Sequence, residues 1–220
     1  REVRVWKELD HESIAEFYGV VSDSNNTPAI ISPWYDRGSV NIYLKDNPQA
    51  VPMKSLWEIV LGVEYLHENN VVHGDLKGGN VMVDSKGHAK LIDFGLSRLI
   101  DSVAGPGLTT SSVSFSIRWC APELVQSDDS PTTKASDVYA FASTALELLT
   151  GEVPYQGLKE RAVIMAVTKG VTPRRPENNV GSRGHSCSEE FWSVLESCWK
   201  VAPLRPSISE VRGRMRTLSL

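Results

Sequence analysis

Apolar positions along the chain fall into two periods, and the switches between them mark its elements. Glu2, Val5, Trp6 and Leu9 stand at i, i+3, i+4 and i+7, so residues 1–10 read as the end of a helix. Two short runs follow, Phe17-Tyr18-Gly19-Val20-Val21 and Ala29-Ile30-Ile31, separated by a polar stretch ending at Pro28. They predict a hairpin with a long turn. A short helix is expected from Val40 to Leu44, stopped near Asn47-Pro48. Leu56, Ile59, Val60, Val63 and Leu66 then keep helical period up to Glu68-Asn69-Asn70, with Ser55 as the candidate cap. Val71-Val72 and Val81-Met82-Val83 read as short strands on either side of a polar loop. From Ser136 to Leu149 the chain is apolar nearly all round, as a central buried helix must be. Helical stripes recur over 162–167, at Phe191, Val194, Leu195, Cys198 and Trp199, and at Ile208, Val211, Met215 and Leu218. Trp199 and Met215 are expected in the core.

The 220 residues are enough for one compact unit with a real core, and 41% apolar with 23% charged residues is ordinary globular composition. A net charge of −4 gives no reason to expect a nucleic-acid partner. No apolar run reaches the ~18 residues of a membrane span, and no signal peptide is recognisable. Cys120, Cys187 and Cys198 are odd in number and lack metal-ligand spacing, so they read as reduced thiols of a cytoplasmic, intracellular protein. Asn25-Asn26-Thr27 then reads as a turn rather than a glycosylation acceptor. His11, His67, His88 and His185 have no metal-ligand partners at useful spacing. The first residue is Arg1, so translation is expected to begin upstream.

The chemistry gathers in one stretch: His73-Gly-Asp-Leu-Lys-Gly-Gly-Asn80, a hairpin turning at Lys86-Gly87, then Leu91-Ile-Asp-Phe-Gly95. An acid, a lysine and an amide in one loop, with a second acid beyond it, suit phosphoryl transfer, where positioning and charge neutralisation outweigh covalent help. Asp75 can take or orient a hydroxyl, and Lys77 can neutralise the transferred group. Asn80 and Asp93 offer the oxygen ligands that magnesium prefers.

These residues resemble the eukaryotic protein kinase family. The loop, Asp93-Phe94-Gly95 and Ala121-Pro122-Glu123 occur in the family's order. The Lys77 form of the loop is similar to serine/threonine kinases, and the nearest flavour is the tyrosine-kinase-like group. The resemblance implies an α+β, protein-kinase-like fold with a complete, mainly helical C-lobe and a truncated N-lobe. Residues 1–32 would be partial N-lobe from its helix onward, 33–39 the hinge and 40–220 the C-lobe. It implies ATP and Mg2+ as cofactors and a Ser/Thr protein substrate, and leaves the oligomeric state open. Asp75 and Lys77 would be catalytic. Ser32 would be the gatekeeper, and the Pro33 carbonyl with the Tyr35 N–H and carbonyl would read the adenine edge. Glu2 would pair with a small-lobe lysine, and Trp6 would lie against Phe94. Asp137 would hydrogen-bond the backbone of the catalytic loop, Glu123 would pair with Arg205, and His73 would be a packing residue. Residues 96–118 would be the activation segment, its hydroxyls at 109–112, 114 and 116 candidates for phosphorylation. Ser116 stands where the family often has the threonine that contacts the catalytic loop.

Two departures shape the expectation. No Gly-x-Gly-x-x-Gly and no Val-Ala-x-Lys precede Glu2, so residues 1–220 alone are expected to be poorly active. Gly74 replaces the arginine that usually meets an activation-loop phosphate, so alanine replacement of 109–112 is expected to change activity little. The alternative to a kinase catalytic domain is a catalytically dead, kinase-like (pseudokinase) binding module.

Overall fold

The computed structural model of the chain describes residues 8–22, 28–94, 116–126, 130–176 and 187–218. Glu2, Trp6, Gly95, the turn at 23–27 and the hydroxyls at 109–114 lie outside the described residues. Among the described residues the fold is a small β hairpin, a second hairpin and a helical body. This is a kinase-like α+β architecture with a reduced small lobe. The first hairpin pairs β1 (Gly19–Ser22) with β2 (Pro28–Ile31), antiparallel, with Gly19 opposite Ile31. It leaves Tyr18, Val20, Val21 and Ile31 exposed.

The helical body is built around α4 (Lys134–Thr150), preceded by α1 (Val40–Asp46), α2 (Pro52–Glu68) and α3 (Pro122–Val125). It is followed by α5 (Glu160–Thr168), α6 (Glu189–Cys198) and α7 (Ile208–Thr217). Every residue of α4 from Ser136 to Thr150 is buried, so the run that is apolar nearly all round packs on all sides, against α2 and α6 among others. A reciprocal capping box of Thr133 and Ser136 starts it two residues earlier than the apolar run, and Gly151 at φ 76° ends it. Trp199 and Met215 are in the core, as expected.

Two local expectations are corrected. Helix α2 begins at Pro52, not after Ser55; a proline in the first turn has no N–H to leave unpaired, and Ser55 is buried inside the helix. Val71-Val72 form no strand: the Val71 N–H closes the end of α2 on the Leu66 carbonyl at 2.8 Å.

The second hairpin pairs β3 (Val81–Val83) with β4 (Ala89–Leu91) and is stitched on both edges. On one side Leu91 exchanges backbone hydrogen bonds with Ser13 and Ala15 (2.8 and 2.9 Å). On the other, Val83 donates to the Gly38 carbonyl at 3.0 Å and Ser39 bridges Met82. The segment after the first hairpin and the segment after the catalytic loop are thereby fixed to each other.

Candidate active site

The loop from His73 to Asn80 takes its shape from α4. Asp137, 1% exposed, accepts the backbone N–H of His73 (2.8 Å) and of Gly74 (2.9 Å), and its Oδ2 lies 2.8 Å from His67 Nε2. The expectation for Asp137 is met, and His67 joins it. Gly74 stands at φ 83°, a left-handed turn that glycine adopts without strain. Halfway along the loop, Thr144 donates to the Leu76 carbonyl (3.3 Å). Beyond Lys77, Glu147 accepts the Gly78 N–H at 2.9 Å. A Cβ at Gly78 would come within 2.5 Å of the Asn41 amide, which would have to give way.

Between these anchors the functional groups converge. Lys77 Nζ lies 2.8 Å from Asp75 Oδ2 and 2.6 Å from Ser116 Oγ. Asn80 Nδ2 donates to the Asp75 carbonyl (2.7 Å) and to its Oδ2 (2.9 Å). This turns Asn80 Oδ1, the oxygen a hard cation would take, away from that pair. Asp75 keeps 44% of its side chain exposed, so it is open to the solvent. The Ile92 N–H donates to the Asn80 carbonyl at 3.1 Å and brings Asp93 beside the loop. Asp93 is in the left-handed region at φ 57°, uncommon for a residue with a side chain. Burial, and then the neighbouring Asp75 charge, raise the Asp93 carboxyl above its ordinary range, with Lys77 opposing them. A cation is the partner such an acid calls for.

Phe94 is buried, its ring edge-on to His73 at 6.2 Å. His73 is itself buried, and burial lowers its pKa. Its Nδ1 accepts the Asp75 N–H (3.3 Å), which leaves the proton on Nε2. Ser116 contacts the catalytic loop as expected. Glu123 and Arg205 form the expected pair, with Nη2 to Oε2 at 2.8 Å and Nη1 to Oε1. Burial pushes the Cys120 thiol up to about 12, so it is inert as a nucleophile.

The segment expected as the hinge lies between β2 and α1, with Ser32 exposed and Pro33 and Tyr35 half-buried. The Tyr35 carbonyl already accepts the Gly38 N–H at 3.0 Å, which leaves one lone pair for a ligand. Among the described residues no group of three or more His, Cys, Asp or Glu side chains gathers as a metal cluster.

Sequence reasoning missed Glu147. Its carboxylate, 6% exposed in the core, also accepts Trp119 Nε1–H (2.8 Å) and Asn41 Nδ2–H (2.8 Å). The available signal was a second acid, after Asp137, inside an otherwise apolar helix, since buried charge must be paired.

The family profile described as "Protein tyrosine and serine/threonine kinase" matches residues 1–215. The chain belongs to the protein kinase family. It is 31% identical over 217 residues to Serine/threonine-protein kinase STY17 of Arabidopsis thaliana, covering 96% of this chain and 35% of that protein. It is 32% identical over 227 residues to Serine/threonine-protein kinase CTR1 of the same plant, covering 99% of this chain and 26% of that protein. Human Mitogen-activated protein kinase kinase kinase 3 is 30% identical over 215 residues, covering 96% and 33%. The chain thus spans about a third or less of these relatives. The serine/threonine type and the tyrosine-kinase-like flavour agree with them.

Proposed function

We propose that the chain is a kinase catalytic domain that transfers the γ-phosphoryl group of ATP to Ser/Thr hydroxyls of protein substrates. Residues 1–32 then belong to the small lobe, 33–39 to the hinge and 40–220 to the large lobe, and the protein works inside the cell. Among the described residues no helix is long and apolar enough to cross a membrane. The observation that carries the reading is Lys77 Nζ bridging Asp75 Oδ2 and Ser116 Oγ, with Asn80 on the same Asp75 oxygen. An acid, a cation and an amide NH2 then gather at one centre, with Asn80 Oδ1 left free of that pair.

Asp75 accepts the hydrogen bond of the incoming hydroxyl, aims it and takes its proton as the hydroxyl oxygen bonds to the γ-phosphorus and the bond from that phosphorus to the β,γ-bridging oxygen breaks, releasing ADP. Lys77 neutralises charge on the group in flight. Asn80 Oδ1 and the Asp93 carboxylate would hold magnesium, a fit favoured by the crowding of Asp93 and Asp75. Magnesium, when bound, supplies Lewis-acid neutralisation of the phosphate oxygens. Ser32, Pro33 and Tyr35 line the adenine side.

The test is transfer from radiolabelled ATP with magnesium by the full-length protein, followed by identification of the modified amino acid. Label on serine and threonine, reduced at least ~10²-fold by Asp75→Asn, supports the reading. Equal transfer by wild type and Asp75→Asn refutes the assigned base. A folded wild type that neither binds nor uses ATP makes this a kinase-like binding module.

A further inference from the structure

The contacts of Glu147 close a ring around the reacting groups. Lys77 Nζ touches Ser116 Oγ at 2.6 Å. The backbone turns back at once, with the Trp119 N–H on the Ser116 carbonyl at 2.8 Å. The Trp119 indole donates to Glu147 Oε2 at 2.8 Å, and that same oxygen accepts the Gly78 N–H at 2.9 Å. Gly78 follows Lys77 directly. Lys77 is therefore held at both ends: its ammonium by Ser116, its backbone by an oxygen that also fixes the segment carrying Ser116.

We propose that Glu147 is a positioning residue that couples the seating of residues 116–121 to the placement of Lys77. The oxygen is shared, so neither side can shift without disturbing the other's hydrogen bond. Glu147 Oε1, held by the Asn41 amide at 2.8 Å, fixes the rotation of the carboxylate and so the aim of Oε2. Residues 119–121 also line a small cavity with Asp75 and Ser116, and Arg118 anchors the segment by donating to the carbonyls of Pro154, Tyr155 and Leu158 (2.8, 3.1 and 2.7 Å). A protein substrate that presses this segment into place is thereby felt at Lys77. The kinetic part of the inference rests on the kinase reading; the ring itself does not.

The experiment uses the full-length protein with two readouts: amide hydrogen exchange at Gly78, and steady-state transfer from ATP. Glu147→Ala should speed Gly78 exchange at least ~10-fold and lower kcat about 10–100-fold with KM for ATP unchanged, as expected when a reacting group is misplaced. Glu147→Gln keeps an acceptor oxygen for Gly78 and Trp119, and should restore kcat to within about fivefold of wild type. Should Glu147→Ala fail to fold, Trp119→Phe, which removes the indole donor and keeps an aromatic ring, takes its place. Combined with Ser116→Ala, it should give an effect clearly different from the sum of the single changes. Gly78 exchange unchanged in folded Glu147→Ala, glutamine no better than alanine, or additive Trp119 and Ser116 effects would each overturn the coupling. A wild type without transfer removes the kinase reading, and Gly78 exchange still judges the ring.

Discussion

Replacing Asp137 tests whether α4 shapes the catalytic loop. In Asp137→Ala the His73 and Gly74 amides lose their acceptor and His67 Nε2 loses its partner. A buried donor left unpaired costs about 1–3 kcal/mol, and breaking a buried charged network about 3–5 kcal/mol. The His73 amide is sealed from water, while Gly74 is only half-buried, so water can repair part of that loss. The expected destabilisation is about 3–4 kcal/mol, a large share of the ~5–15 kcal/mol of a typical domain. With a urea slope of about 1–3 kcal/mol/M, the midpoint should fall by roughly 1–4 M. Asp137→Asn keeps one oxygen but sets an NH2 against one of the two backbone donors, so it should cost about 1–3 kcal/mol, less than alanine. Urea unfolding followed by circular dichroism checks the order wild type, Asn, Ala. A midpoint for Asp137→Ala within error of wild type would refute the claim that this carboxylate holds the loop.

Other outcomes follow from the same geometry. Burial lowers the His73 pKa from 6.5, so the unfolded chain takes up a proton that the folded one refuses. Its stability contribution is complete above pH ~6.5 and is lost as pH falls below it, at up to ~1.4 kcal/mol per pH unit; His73→Leu should flatten that limb in pH-dependent melts. Gly78→Ala drives a Cβ to within 2.5 Å of the Asn41 amide and should cost about 1–3 kcal/mol; adding Asn41→Ala should give less than the sum, read by thermal melting. At Glu123 burial pushes the carboxyl up, but the Arg205 hydrogen bond, a backbone hydrogen bond and the Arg205 charge together outweigh it and hold the carboxyl below 4.5. The pair's stability is present above that value and lost as pH falls through the folded pKa. Arg205→Lys should lose the bidentate fit and cost about 2–3 kcal/mol at pH 7, discounted because Glu123 is 32% exposed; an unchanged denaturation midpoint would exclude that role.

Sequence carried much of the fold because long elements announce themselves by period. Helix α4 was legible from an apolar run without a polar face, and α7 from Ile208, Val211 and Met215. Asp75, Lys77 and Asn80 were legible because one loop holds them. Element starts were less legible: Ser55 looked like a cap, while Pro52 opened the helix. The Glu147 ring could not be seen, because its donors lie 28, 69 and 106 residues away in sequence and glutamate is an ordinary helix former. Only folding brings Asn41, Gly78 and Trp119 to one carboxylate.

The dependence of the loop on α4 also orders events in time. His73 precedes Asp137 by 64 residues, and Gly78 precedes Glu147 by 69. At about 5–20 residues per second a ribosome takes roughly 3–14 s to make that stretch. For those seconds the nascent chain carries its acid and its lysine without the two carboxylates that aim them. The geometry of the loop therefore matures only after the later helix has emerged and docked, so a chain stalled before that point holds Asp75 and Lys77 in sequence but not in place.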